Sequence, residues 1–558
     1  MKVAGRVGID VGGTFTDAVL MQGNRILDKA KVPTKPNHLL ETIIQAIDAL
    51  KITGKQALEQ ITVSTTLVTN AILQGNLPPV ELLLLPGSGV KLESFPWPIS
   101  YQILYGTIDY RGREINPPDQ LEWQRLLQKL HQQKNLSHVA IVGKFSHRNK
   151  SHEEQLAHYL RRAFPTLKIA LGHQWGQSNF YRRSLTTYLN LASNDLFGQF
   201  ASDLEQAVAA RGCSAPIFVL KADGGVLPLS KIRPVESIYS GPTASVLGAM
   251  AQSSPSQSFV MIDIGGTTTD LGLVLSGEPL ISSSGAKIGP YSTLVRSLAV
   301  RSVPVGGDSV ILTDGSNFSL ANYRLGPAYC LGGPAPTPTD AMCYLKLIQY
   351  GDSKRAEQVL ASLLQPETRT PEKLRALASS ILDVFVERIV REINALQQEW
   401  QNEPAYKVWG VLHPHESLNF HLWMSGGGAQ GIASVLAQRL HTSVRMGKYP
   451  EVSNAIGAAM ARPTFSCTLH LDTVLRQYRI EETGEQGQWQ GSKRPHKAIN
   501  GFLEEIVQRE AQEKGIVLMD LHKDPFDFFP IVQGFQTVGQ IVRGAFHVPP
   551  GVIGRVEE

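Results

Sequence analysis

The chain has 558 residues, 42% hydrophobic and 18% charged, with a formal net charge of +4. A single core rarely outgrows about 250–300 residues, so this length predicts two or more domains, and the composition excludes a disordered, collagen-like or disulfide-stapled chain. The mild charge gives no case for nucleic acid. Cys213, Cys330, Cys343 and Cys467 lie far apart without a CxxC pair, which argues against a zinc site or a disulfide framework. Residues 1–10 lack the apolar stretch of a signal peptide, and no apolar run approaches the roughly 18 residues needed to span a bilayer. A cytoplasmic protein with neither nucleic-acid nor membrane partners is expected.

In chain order, the first informative feature is a repeat. Residues 9–17 read IDVGGTFTD and residues 262–270 read IDIGGTTTD, a constant offset of 253. Short apolar runs flank both copies, each followed by a turn and a third run, so each copy predicts a three-stranded meander opening a duplicated domain. Residues 38–50 carry Leu39, Leu40, Ile43, Ile44, Ile47 and Leu50 at helical spacing. Strands at 80–85 and 139–142 alternate with helices at 152–164 and 184–206, the pattern of α/β layers. Residues 326–338, rich in Gly and Pro, read as a loop. Thr370 and Pro371 open a helix over 371–400, with Leu377, Val384, Phe385 and Ile389 on its apolar stripe. A strand at 419–424, a glycine turn at 425–428, a helix at 432–440 and a strand at 442–446 follow. Residues 480–496 read as a linker or exposed hairpin, and 530–552 as β-rich.

The two Asp-x-Gly-Gly-Thr-x-Thr-Asp loops carry the chemistry. Glycines let backbone N–H groups approach phosphate oxygens, since no Cβ blocks them. That assigns Gly12, Gly13, Gly265 and Gly266 to a phosphate cradle, with hydroxyls from Thr14, Thr16, Thr267 and Thr268. Asp10 and Asp263 end their strands, where a carboxylate can hold hydrated Mg²⁺. They are the candidate catalytic and metal-binding residues, while Asp17 and Asp270 either line the cradle or brace their own hairpins. Two facing loops would clamp a triphosphate and its metal. A bland alternative, that the glycines merely connect strands, fits one loop better than two matched copies.

Gly426, Gly428 and Gly431 also fit G-x-G-x-x-G between a strand and a helix. A dinucleotide fold then needs an acidic residue ending the next strand, yet residues 442–446 run into Gly447-Lys448 and Glu451 comes late. His147 with His152, and His413 with His415, lack a third metal ligand and read as core or surface histidines. Arg161-Arg162 and Arg182-Arg183 read as solvated helix faces. The chain has neither a Gly-x-Ser-x-Gly elbow nor a Walker Gly-Lys-Ser/Thr motif.

GIDVGGTFTDAVL resembles the opening of the hydantoinase/oxoprolinase family of the actin-like ATPase superfamily. Further matches run in the family's order: STTLVTNA (64–71), RSLTTYLN (183–190), Asp223-Gly224-Gly225, SGPTASVLG (240–248), Gly326-Pro327-Ala328, PTDA (338–341) and SGGGAQGIA (425–433). The resemblance implies an α/β, actin-like (ribonuclease H-like) pair of duplicated domains around an ATP cleft. Domains are expected at 1–180, 181–467 and, as a divergent β-containing C-terminal extension, 468–558. It implies ATP and Mg²⁺ as cofactors and Gly426, Gly427 and Gly428 as the adenosine wall. It further implies phosphorylation of a lactam, hydantoin or ketone oxygen, often with a second, hydantoinase B-like subunit. The substrate side departs from the family pattern. Val63-Ser64 stand where a His precedes the family's Thr-Thr, Arg182 replaces an acid, Arg301 lies near a His position, and only Gly306-Gly307-Asp308 remains of a three-glycine loop. A nucleotide-responsive assembly protein or non-hydrolysing scaffold is the alternative expectation.

Overall fold

A computed structural model describes residues 4–35, 38–52, 58–133, 135–313, 318–402 and 420–557. His413, His415 and Asn419, the first residue of a predicted strand, lie outside the described residues. Two sheets share one topology. The first runs Val226–Pro228, Ile217–Leu220, Leu58–Thr65, Gly5–Val11, Phe15–Gln22, Arg25–Pro33. Its hairpin is antiparallel, and Gly5–Val11, Leu58–Thr65 and Ile217–Leu220 are mutually parallel. The second sheet repeats this order with Glu278–Pro279, Thr269–Leu275, Phe259–Ile264, His421–Ser425 and Val444–Met446. Its central strands are near-continuous apolar runs because helices cover both faces; Phe259–Ile264 is buried throughout. The predicted meanders and duplication are therefore present as sheets.

Between the parallel strands of the first half lies a smaller parallel sheet, Lys168–Leu171, His138–Gly143, Glu81–Leu85 and Gln102–Ile103. The helix Phe180–Ala209 begins before the predicted 184, because the Asn179 side chain accepts a hydrogen bond from the Arg182 N–H and caps it there. Arg183 corrects the expectation of a solvated face: it is fully buried, donating to the carbonyls of Gly143 (2.5 Å), Lys144 (2.7 Å) and Gln177 (2.5 Å). Helix Pro371–Gln401 is capped by Thr370 as expected, but its buried stripe runs through Leu374, Ile381, Phe385 and Ile389, leaving Val384 exposed.

The C-terminal sheet, Gln486–Gln488, Gln477–Ile480, Phe465–Asp472, Gln536–Val548 and His522–Lys523, is backed by the helix Ile499–Lys514. It shares a continuous core with the first sheet, in which Val7 and Ile61 join Leu469, Val542 and Phe546. Of the two expectations for residues 480–496 the hairpin holds in part: Gln477–Ile480 turns back into Gln486–Gln488, its antiparallel partner, and Trp489 beyond it is buried.

Two helices bind the halves together. Ser240–Gln252 follows the last strands of the first sheet, and Ser453–Met460 follows the last strand of the second. Each packs against the other half, at Gly272 and Gly8 respectively. They cross almost backbone to backbone: a Cβ on Gly457 would lie 2.0 Å from the Ala244 carbonyl oxygen, and one on Gly248 2.0 Å from that of Ser453. Only glycine permits that approach. No helix among the described residues is long and apolar enough to cross a membrane.

Candidate active site

The two loops are structurally equivalent. Asp10 stands opposite Asp17 and beside Ser64; Asp263 stands opposite Asp270 and beside Ser425. Each turn closes alike, Gly12 N–H donating to the Phe15 carbonyl (3.1 Å) and Gly265 N–H to that of Thr268 (3.0 Å). The loops face one another closely. A Cβ on Gly13 would lie 3.7 Å from Thr267 Oγ1, and one on Gly266 3.3 Å from Thr14 Oγ1. Thr16 does not join them: it is buried, and its hydroxyl meets that of Thr34 at 2.9 Å, bracing the hairpin.

The crossed helices deliver polar groups to the strand ends. Asn454 Nδ2 donates to Asp10 Oδ2 (3.2 Å) and to Asp263 Oδ2 (2.9 Å), joining the two candidate carboxylates. Ser245 Oγ donates to Asp263 Oδ2 at 2.8 Å. Burial, followed by the charge of Asp17, pushes Asp10 up to about 7 against hydrogen bonds from Ser64 and Asn454. Burial and the Asp263 charge raise Asp270 to about 7, and burial raises Asp17 to about 6 although Lys31 Nζ lies 2.7 Å away. Asp10 Oδ1 and Asp270 Oδ1 are buried without a hydrogen-bond partner. Crowded, under-partnered buried carboxylates suit a cation. Among the described residues no group of three or more His, Cys, Asp or Glu could hold a metal ion. Mg²⁺, which keeps most of its water, needs only one or two carboxylates, and the Asp10–Asp263 pair fits that donor set.

Besides Asp308, three residues here, Arg324, Tyr350 and Asn454, were not singled out by the motifs. Arg324 donates to Thr14 Oγ1 and to the Gly13 carbonyl (3.0 Å), and lies 3.8 Å from Asp308, so it ties the first loop to the other half. Asp308 supports the second loop, its N–H donating to the Gly266 carbonyl at 2.8 Å. Tyr350 donates its hydroxyl to the Gly427 carbonyl at 2.7 Å. Asn454 is the third, and its signal is a lone amide in a helix of small residues. In the 425–428 turn the glycines differ. Gly426 has φ +89°, a Cβ on Gly428 would meet Ile264 Cγ2 at 2.8 Å, and one on Gly427 would meet nothing within 4 Å. Gly427 is the position open to a ligand.

Other motifs brace the scaffold. Asp340 of PTDA is fully buried and accepts from the Cys330 (2.6 Å) and Thr337 (2.9 Å) N–H groups. Asp223 accepts from Lys221 Nζ (3.0 Å), Gly225 N–H (3.0 Å) and Thr464 Oγ1 (2.9 Å). His147 and His152 are both buried, as core histidines.

The model of the hydantoinase/oxoprolinase N-terminal region matches residues 6–164, and the hydantoinase/oxoprolinase model matches residues 183–466. The caprolactamase subunit alpha of Pseudomonas jessenii is 27% identical over 388 residues, covering 62% of this chain and 55% of that subunit, so the chain spans little more than half of that relative's length. The solved ATP-dependent caprolactamase of the same organism has a TM-score of 0.69 at 19% identity, covering 97% of this chain and 86% of that one. A nucleotide-free acetone carboxylase structure has a TM-score of 0.73 at 15% identity, covering 100% of this chain and 89% of the other. These structural likenesses are ones of fold, and the fold is α/β with actin-like duplicated domains.

Proposed function

The chain belongs to the hydantoinase/oxoprolinase family, and on that premise we propose that it is an ATP-dependent enzyme, or the nucleotide-binding subunit of one, that activates a cyclic-amide or carbonyl oxygen by phosphorylation. The observation that carries this reading is the Asp10–Asn454–Asp263 bridge, which joins two matched glycine loops across the duplicated halves. In it, Gly13, Thr14, Gly266 and Thr267 cradle the phosphates, Gly427 lies against the adenosine, and Asp10 and Asp263 hold hydrated Mg²⁺. The metal would offset negative charge on the phosphates.

In the reaction, the substrate oxygen bonds to the γ-phosphorus as the bond from phosphorus to the ADP oxygen breaks. The oxygen, now carrying phosphate, leaves far more readily than a free amide or carbonyl oxygen. The chain's own work is positioning: Asn454 and Ser245 fix the carboxylates, and the crossed helices fix Asn454 and Ser245. The caprolactamase relative suggests a lactam and the acetone carboxylase neighbour a ketone, and a subunit alpha among the relatives suggests a second subunit. We also take the domain boundaries near 180 and 467, and a cytoplasmic location, as parts of this reading.

One observation favours the alternative of a nucleotide-responsive protein without a small substrate. Arg301, near the family's His position, is held by Glu392 (2.6 Å) and Glu399 (2.5 Å) of the long helix, so its guanidinium is already engaged. ATP hydrolysis measured with caprolactam, 5-oxoproline, a hydantoin and acetone decides between them. Stimulation by at least one member of that panel supports the enzyme. Hydrolysis indifferent to all four supports the alternative.

A further inference from the structure

A cavity of about 470 Å³ lies at the seam between the smaller parallel sheet and the C-terminal sheet, and none of the nucleotide-loop residues lines it. Its volume is that of a small-molecule site. Its lining includes Arg111, Arg148 and Arg479, and the carboxylate among the lining residues is that of Asp472. Arg479 is 5% exposed, gives Nη1 to the Gly176 carbonyl, and has its Nε buried without a partner. Behind it lies the fully buried Arg183, whose Nη1 is 3.2 Å from His147 Nδ1. Burial and the Arg183 charge drive His147 far below the usual histidine range, so it stays neutral and adds no charge.

The nearby acids do not balance this charge. Glu481 is hydrogen-bonded to His470 and stands 3.8 Å from Arg479. The guanidinium groups of Arg111 and Arg148 make no hydrogen bond or ion pair among the described residues, although Asp472 and Glu481 act on Arg148 through space. Burial, and then the charge of Arg148, lowers Arg479 to about 10. The lining also includes the apolar side chains of Val474, Leu475, Ile531 and Ile541, with Ile541 paired in register with Asp472.

We propose that this cavity is a second ligand site, for a small amphipathic organic anion whose carboxylate or phosphate-ester oxygens meet Arg148 and Arg479 while its hydrocarbon body lies against Val474, Leu475, Ile531 and Ile541. Guanidinium forks match such oxyanions in two-point geometry. The site does not depend on the nucleotide reading.

Calorimetric titration of the full chain with hexanoate, hexyl phosphate and neutral hexanamide tests it, with and without saturating ATP. Hexanoate or hexyl phosphate should bind at least tenfold more tightly than hexanamide, with ATP making no difference. Whichever of the two binds more tightly identifies the headgroup. Arg148→Gln with Arg111→Gln alters exposed side chains only and should weaken the anion at least fivefold. Equal binding of anion and amide, an anion affinity unchanged in the double variant, or competition with ATP would each overturn the proposal. Arg479→Lys, with a folded melting profile, should weaken the anion further.

Discussion

Replacing Asn454 with alanine removes the amide that joins the two halves at Asp10 and Asp263. Its two hydrogen bonds, at 3.2 and 2.9 Å, go to carboxylates. Hydrogen bonds to charged groups contribute roughly 1.5–3 kcal/mol each, so losing both costs at most about 6 kcal/mol. Ser245 still serves Asp263 and Ser64 still serves Asp10, and water entering the vacated space offsets part of the loss. The expected destabilisation is about 3–4 kcal/mol, read by denaturant unfolding. Asn454→Asp should do worse, since it sets a third carboxylate between two others, and its deficit should shrink as pH is lowered from 8 to 5. ATP affinity should fall in both variants. An Asn454→Ala protein with unchanged unfolding midpoint and unchanged ATP affinity would refute the idea that this amide couples the halves.

Gly427→Ala should fold as the parent does, since nothing lies within 4 Å of the new methyl, and should weaken ATP binding while inorganic triphosphate binds as before; equal titration curves for ATP in both proteins would remove Gly427 from the adenosine wall. Gly428→Ala is the poorer probe, because its methyl strikes Ile264 first. Arg324→Gln should weaken ATP about tenfold, about 1.4 kcal/mol, with a small effect on unfolding, because the side chain is partly exposed and lies between the loops. Burial alone would raise Asp223, but Lys221, Arg296 and the Gly225 N–H together hold it below the usual carboxylate range. Its contribution to stability is therefore full above about pH 4, the unfolded value, and is lost as pH falls through the lower folded value. Asp223→Asn should cost about 3–5 kcal/mol at pH 7 by leaving buried Lys221 unpaired. Unfolding curves of parent and variant should converge in acid.

The repeat could be read in the sequence because each loop is local. A strand, a Gly-Gly turn and a return strand need no distant partner, and the constant offset reappears as matched register, Asp10 opposite Asp17 and Asp263 opposite Asp270. Asn454, Arg324 and Tyr350 could not be read, because each reaches the loops from a segment remote in sequence. Asn454 is 191 residues from Asp263 and 444 from Asp10. The pattern also gave no sign that Arg183 is buried, since backbone carbonyls rather than acidic side chains receive its guanidinium. Thr16 looked like Thr14 in the motif, but Thr14 sits in the turn before the strand, whereas Thr16 lies within the strand and is buried.

The claim that ATP with Mg²⁺ binds between the two loops is tested most directly by calorimetric titration of ATP in the presence and absence of Mg²⁺, on the parent chain and on Asp10→Asn and Asp263→Asn. One ATP per chain, tighter with Mg²⁺ in the parent and with that Mg²⁺ dependence reduced in both variants, is the predicted result. No binding at millimolar ATP, or binding whose Mg²⁺ dependence survives both substitutions, would contradict it.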